Sequence, residues 1–375
     1  MRVLYFSRDY TPHDYRFLAA LAKTQHKVYY LRLEKRGATW EHRPLPPGIV
    51  PVSWKGGKKA AKFWDGPRLW LDLKRVIKTI QPDLIHAGPI QRSAFLAALT
   101  GFTPLVSMSW GYDLLVDAKR NPCWQWATQY TLQRSAAFVG DCHTIHDLAV
   151  DYGMNPERIV IFPWGVDLDH FRPTSNTSLP DIRQKLGWGN ETFVLLSTRG
   201  WAPVYGVVDI VRAFARITRQ HPEIRLLMLG EGPQATDIHQ ILGKAKLIDR
   251  VHLPGLVEKR ELPNYYLAAD LYVSASHSDG SSISLLESLA CGTPALLSDI
   301  PGNKEWVEPG QQGWLFQEGD VDDLISSLHQ ILQKRDNLPE MGHKARHLAE
   351  KRADWDENFP KLLDAYQMAI TDEKS

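Results

Sequence analysis

Two acids and the loop between them are the residues of this 375-residue chain whose types and spacing could do chemistry. Asp279 and Glu287 lie in LYVSASHSDGSSISLLESLACG, residues 271–292, which reads as an apolar strand, a polar loop and a helix ending at Gly292. In open α/β sheets a loop that leaves the carboxyl end of a strand and feeds a helix N-terminus is where anionic ligands bind. On that helix Ile283, Leu286 and Ala290 share one stripe and Leu285 and Leu289 cover another side, so little of it is left for solvent. Glu287 falls between Ile283 and Ala290. A buried carboxylate needs a partner, because an unpaired buried charge is costly. Ser284 and Glu287 fit a capping box, although a start at Ser284 leaves a short helix. In the other reading Glu287 accepts hydrogen bonds from ligand hydroxyls, while the amides of Gly280, Ser281, Ser282 and Ile283 hold an anion.

Asp279 and Glu287, followed by Ala290-Cys-Gly-Thr-Pro294 and by Gly310 and Gly313, resemble the acidic motif of the retaining, family-four GT-B glycosyltransferases. That family usually has Glu at both ends and Gly-aromatic-Gly after the first; here the first acid is Asp279, and Gly280-Ser-Ser-Ile283 follows. The resemblance implies a nucleotide-sugar donor site in which Asp279 holds sugar hydroxyls and offsets charge on the ring, and Glu287 holds the ribose. Arg199 matches the arginine that pairs with the donor diphosphate. A few residues on the family has Lys-Gly, and this chain has Tyr205-Gly206; Lys259, Arg260 and Lys304 are candidates for the missing charge. The donor half also holds Gly230-Glu231-Gly-Pro233, and base contacts are expected near Leu256–Glu258, at Val257. On the acceptor side, Ser109-Trp110-Gly111-Tyr-Asp113 resembles the family's Gly-x-Asp loop, with Trp110 where many relatives have histidine. His86 matches a histidine common in the family, with a hydrogen-bonded core histidine as the alternative. Asp14 lies in the turn after the first strand and is also placed on the acceptor side.

These residues need a frame to hold them. A chain of this length exceeds what one core normally supports, which predicts two domains. Short β-rich runs alternate with helical patterns throughout, the mark of parallel sheets wound with crossovers. Val3–Phe6, Val28–Leu31, Leu84–Ala87, Leu105–Met108, Ala137–Gly140 and Ile159–Phe162 read as strands of the first half. Phe193–Ser197, Arg225–Leu229, Val251–Leu253 and Leu271–Ala275 are those of the second, and Trp355–Ile370 reads as one last helix. The turn after the first strand, Ser7–Tyr15, contains no glycine, which argues against a dinucleotide fingerprint. The expected architecture is α/β GT-B: two Rossmann-like domains facing across a cleft. Residues 1–172 form the acceptor domain, residues 173–352 the donor domain, and residues 353–375 cross back to the first. The stretch 173–180, rich in Thr, Ser, Asn and Pro, reads as the linker.

Composition narrows the class further. Hydrophobic content of 43% and charged content of 23% are those of an ordinary globular enzyme. No apolar run is long enough to span a bilayer and no signal peptide is legible, so a cytoplasmic location is expected. Three scattered cysteines form neither a disulfide framework nor a metal motif. Asp167-x-Asp169 matches a metal-binding pair, but it follows a Pro-Trp-Gly turn without further oxygen ligands nearby, and no metal or other cofactor is expected. Residues 1–170 hold 22 Lys and Arg against 15 Asp and Glu, and the remainder holds 22 against 28. Much of the excess lies between Lys27 and Lys78, interleaved with Trp54, Phe63, Trp64 and Trp70. That segment is either a solvated face or, over residues 54–78, a patch for an anionic membrane surface, which would make the protein peripheral on the inner face of the membrane. No nucleic-acid module is legible.

The resemblance therefore implies a metal-independent, retaining transfer of a hexosyl-type sugar from a UDP- or GDP-type donor to the hydroxyl of a sugar, glycolipid or small molecule, in polysaccharide, glycolipid or glycoconjugate synthesis. A nucleotide-sugar epimerase on the same fold and a catalytically degenerate binding domain are the alternatives.

Overall fold

The computed structural model describes residues 1–35, 41–173 and 182–371. They divide into two compact units, residues 1–162 with 357 onward, and residues 163–356. The division falls after Phe162 rather than after Arg172. Val166 and Phe171 are buried in the core of the second unit, and Val166 pairs with Asp354. Apart from Pro173, the expected linker lies outside the described residues.

Unit 1 is built on a seven-stranded sheet. Its strands are β1 (Arg2–Ser7), β2 (Lys27–Arg32), β3 (Val50–Pro51), β4 (Leu84–Gly88), β5 (Leu105–Met108), β6 (Ala137–Gly140) and β7 (Ile159–Ile161). They lie in the order β3-β2-β1-β4-β5-β6-β7, all parallel. Near-continuous apolar runs such as Val3–Phe6 and Leu84–Ala87 suit central parallel strands, whose two faces are both covered. The order reverses between β1 and β4, and the loops leaving those strands are where such sheets bind ligands. Helix Pro12–Leu21 opens with Thr11 and Asp14 in a reciprocal capping box.

The last helical stretch, expected as one helix, is two: Trp355–Asn358 and Pro360–Thr371. Pro360 has no amide hydrogen to continue the first, so the chain restarts there. The second of these packs on β5, β6 and β7 and belongs to unit 1.

Unit 2 repeats the plan with β8 (Phe193–Ser197), β9 (Ile224–Leu229), β10 (Val251–Gly255), β11 (Leu271–Ser274), β12 (Ala295–Ser298) and β13 (Gly313–Phe316). The order is β10-β9-β8-β11-β12-β13, again all parallel. Its switch falls between β8 and β11. One face of the sheet is covered by helix Val207–Ile217 with Phe214 and Ile217 inward, the other by helix Ile283–Ala290 with Leu285, Leu286 and Leu289 inward. Strand β3, with two residues, is too short to show a pattern in sequence, and β12 and β13 follow directly on turn residues, 292–294 and 310–312.

Candidate functional site

The switch point of unit 2 brings Arg199 and Asp279 together. Arg199 lies just past β8 and Asp279 just past β11, and because these strands are neighbours their loops leave side by side. The Arg199 guanidinium is 2.7 Å from an Asp279 carboxylate oxygen, with side chains only 12% and 20% exposed. Another guanidinium nitrogen donates to Ser282 Oγ at 2.7 Å and Ser284 Oγ at 3.0 Å. Tyr272 donates its hydroxyl to Ser284 Oγ at 2.8 Å. The arginine is thus aimed at the start of helix Ile283–Ala290, where amide groups lack intrahelical partners.

The loop is held from below. Trp306 donates its indole N–H to Ser281 Oγ at 3.1 Å, and Ser298 Oγ donates to the Ser276 carbonyl at 2.6 Å. A Cβ on Gly302 would lie 2.6 Å from the carbonyl oxygens of both Asp279 and Gly280, so only glycine fits beneath them. Gly280 N–H donates to Asp279 Oδ1 at 3.1 Å. Gly206 has φ +58°, and an added Cβ would overlap the Ala275 carbonyl; its expected place at the donor site is a backbone close approach. Tyr205, beside it, lays its ring 4.1 Å from the Arg199 guanidinium.

Burial raises the Asp279 carboxyl above its usual range, and Arg199 pulls against that rise. Burial alone would lower the Arg199 guanidinium; Asp279 and the surrounding tyrosines outweigh it and leave it raised. The pair is an internal ion pair that an incoming anion can compete for.

Glu287 is 8% exposed, and Tyr266 donates its hydroxyl to Glu287 Oε2 at 2.9 Å. The helix starts at Ile283 after Ser282, and no capping box forms between Ser284 and Glu287. Tyr266, which also lies 3.1 Å from Thr198 Oγ1, is the partner that sequence reasoning missed. A buried carboxylate demands a donor, but helix Leu262–Ala268 offered two tyrosines with no sign of which turned inward. Glu231 is exposed, with its carbonyl accepting from Trp201 N–H at 2.9 Å. Val257 packs its side chain, partly buried, on the core of unit 2. Lys304 is paired with Asp299 at 2.8 Å and Arg260 with Glu258 at 2.9 Å, so these two cations answer neighbouring acids. Lys259 accepts through its carbonyl from His170 at 2.9 Å.

In unit 1 the expected acceptor-side residues are mostly turned inward. Asp113 is 3% exposed; Ser109 Oγ donates to its Oδ1 at 2.6 Å and the Ile90 amide to its Oδ2 at 2.9 Å. The Trp110 amide donates to the same carboxylate at 3.0 Å. Asp113 therefore ties its loop together instead of presenting a carboxylate, and burial raises its carboxyl. Gly111, at φ +84°, allows that turn, and Trp110 packs near His13 and Phe17. His86 is 1% exposed, between Tyr5 and Tyr366, with Nδ1 2.6 Å from the Tyr366 hydroxyl. Burial lowers it to about 3, so it is a neutral imidazole, hydrogen-bonded in the core. Asp14 is 2% exposed, receives the Tyr5 hydroxyl at 3.2 Å, and is raised by burial to about 7.

Asp167 Oδ1 accepts from the amides of Asp169 and His170 at 3.1 and 3.0 Å, so the Asp-x-Asp pair is a turn. Among the described residues no three His, Cys, Asp or Glu side chains gather as a metal site.

Known proteins complete the comparison. A family model described as glycosyl transferases group 1 matches residues 179–352, and one described as Glycosyltransferase Family 4 matches residues 13–170. The chain belongs to the group 1, family 4 glycosyltransferases and has their two-domain, Rossmann-like GT-B fold. An alpha-monoglucosyldiacylglycerol synthase of Streptococcus pneumoniae is 32% identical over 46% of this chain and 39% of its own length. D-inositol 3-phosphate glycosyltransferase 2 of Catenulispora acidiphila is 28% identical over 59% and 53%. The matches thus span about two fifths and about half of these relatives. In fold the chain is similar to sucrose-phosphate synthase from Thermosynechococcus elongatus, with TM-score 0.81 at 17% identity over 99% of this chain and 100% of that one. It is similar also to Anabaena Alr3699/HepE in complex with UDP, with TM-score 0.80 at 17% identity over 98% and 100%.

Proposed function

We propose that this protein transfers a sugar from a nucleotide diphosphate sugar, of UDP or GDP type, to a hydroxyl acceptor with retention at the anomeric carbon, in glycolipid or polysaccharide synthesis. The observation that carries the reading is the Arg199–Asp279 pair at the switch point of unit 2, aimed at a helix N-terminus. Departure of the donor diphosphate develops negative charge, and fixed positive groups stabilise it best. Arg199 supplies the charge and the amides at Gly280–Ile283 the dipoles, so we assign this role to the chain and not to a metal. As the diphosphate takes Arg199, Asp279 is released to bind sugar hydroxyls and to offset charge on the ring. Glu287, oriented by Tyr266, holds the ribose. The HepE structures, in complex with UDP and with UDP-glucose, support the donor class.

Calorimetry with a panel of UDP- and GDP-sugars, paired with a transfer assay, tests this. Glu287→Gln is expected to weaken nucleotide affinity about 10-fold, the worth of one charged hydrogen bond. Asp279→Ala is expected to lower turnover with little change in affinity. Unchanged affinity in the Glu287 variant would sink the ribose assignment. A binding-only reading draws support from the Tyr205 ring in the lysine position; transfer or donor hydrolysis above background excludes it. We also propose a peripheral attachment to anionic membrane surface through residues 54–78, where Phe63 and Trp64 stand 97% and 73% exposed among lysines.

A further inference from the structure

The carboxyl edge of the unit 1 sheet carries a charged cluster that the donor site does not use. Arg8 leaves β1, Arg92 lies in the helical turn Ile90–Ala94 beyond β4, and Arg120 follows the turn Asp117–Lys119. Arg8 is matched: its Nε donates to Glu34 Oε1 at 2.6 Å, and Glu34 is buried. Arg120 faces Asp117 at 3.9 Å. Arg92 has no such match. Its Nε is buried without an acceptor, and among the described residues its side chain makes no hydrogen bond or ion pair, although its backbone N–H donates to the Pro89 carbonyl at 3.2 Å. Its guanidinium lies 4.9 Å from the Trp124 ring centre, and that of Arg120 lies 5.1 Å from the same ring. Arg8, Glu34, Asp117 and Arg120 are near enough to act on its charge; burial first, then Arg8, lowers it below the usual arginine value, against the pull of Glu34 and Asp117.

With Arg32 and Asp9, 3.7 Å apart beside Arg8, the cluster sets four guanidinium groups against three carboxylates, and the unmatched one is half-buried at the strand-order switch, where open parallel sheets bind ligands. A desolvated guanidinium held only against an aromatic face has most of its donors unused, and an oxyanion satisfies them in pairs. We propose that Arg92 and Arg120, sharing the Trp124 ring, form a subsite for a phosphate-type oxyanion carried by the acceptor. The proposal rests on unit 1 being the acceptor side of the proposed transfer, and it adds the chemical class of that acceptor.

The test is titration calorimetry of inorganic phosphate into the full chain, with UDP affinity measured separately on the same samples. Saturable phosphate binding is expected, weakened about 10-fold or more in Arg92→Gln and in Arg120→Gln. Arg92→Lys keeps the charge but not the fork and is expected to fall between. UDP affinity is expected to stay unchanged in all three, which shows that the variants are folded and separates this site from the donor site. Displacement of phosphate by glycerol 3-phosphate identifies a soluble carrier, displacement by phosphatidic acid in phosphatidylcholine vesicles a lipid carrier, and either supports the subsite. Phosphate binding that is absent, or undiminished in the glutamine variants, or displaced by neither carrier, overturns it. Loss of UDP binding in the unmodified chain would instead count against the donor reading alone.

Discussion

In the proposed transfer Arg199 meets the developing diphosphate with a single guanidinium, and Tyr205, in the position where the family resemblance implies a lysine, lays its ring 4.1 Å away. The ring restricts Arg199 and shields it from water, so its charge is better placed but remains single. Tyr205→Lys is therefore expected to tighten UDP binding, by roughly 10-fold if the amine reaches a phosphate oxygen. Weaker binding in that variant would mean that the ring is needed to hold Arg199. At this scale the sequence showed residue types but not directions. Asp279 and Glu287 were legible because a fixed spacing carries them. Asp113 was not, because its four hydrogen bonds come from its own loop and from Ile90, which a neighbouring strand brings in. Tyr266 meets Glu287 only when two helices pack.

Among the elements, the turn Pro203–Tyr205 and the start of helix Val207–Ile217 are pressed against the end of β11. His277 N–H donates to the Val204 carbonyl at 2.9 Å, and the Ala275 carbonyl sits where a side chain at position 206 would be. Gly206→Ala meets both a crowded carbonyl and a positive φ, and is expected to destabilise the protein by about 1–3 kcal/mol. Thermal unfolding measures the loss, and an unshifted melting temperature would show that the turn can move away. The longer strands and helices could be read from sequence because apolar period and length agree there. Strand β3 could not, since two residues hold no period; β12 and β13, as long as β5 and β6, are hidden by the turn residues 292–294 and 310–312 that run into them. The same limit explains the last helices: the apolar pattern runs through Pro360, and the break is a property of the missing amide.

For the whole molecule, no helix of the described residues is long and apolar enough to cross a membrane. Helix Gly66–Ile80 turns Leu69, Leu73 and Val76 inward, so its apolar stripe is used by unit 1 itself. What it leaves outward is basic, and Phe63, Trp64 and the half-exposed Leu71 stand beside that face. Each basic residue near an anionic surface contributes about 1 kcal/mol, a gain that salt removes. The chain is expected to float with vesicles of phosphatidylglycerol and not of phosphatidylcholine, and Phe63→Ser with Trp64→Ser is expected to release it. Equal flotation with both lipids would rule out the electrostatic attachment. The opposite charge of the two halves was visible in sequence; which aromatic rings were exposed was not, since Trp54 and Trp70 lie in the same segment and point inward.

The bond between His86 and Tyr366 also sets an order of assembly. Unit 2 is continuous in the chain, so every contact it needs is available once residue 356 has been made. Unit 1 is started first and finished last. Tyr366, the hydrogen-bond partner of its core histidine, lies in helix Pro360–Thr371, which follows the whole of unit 2 in the chain. During translation unit 2 therefore has all of its chain before unit 1 does, and helix Pro360–Thr371 is the last described segment to reach the sheet of unit 1.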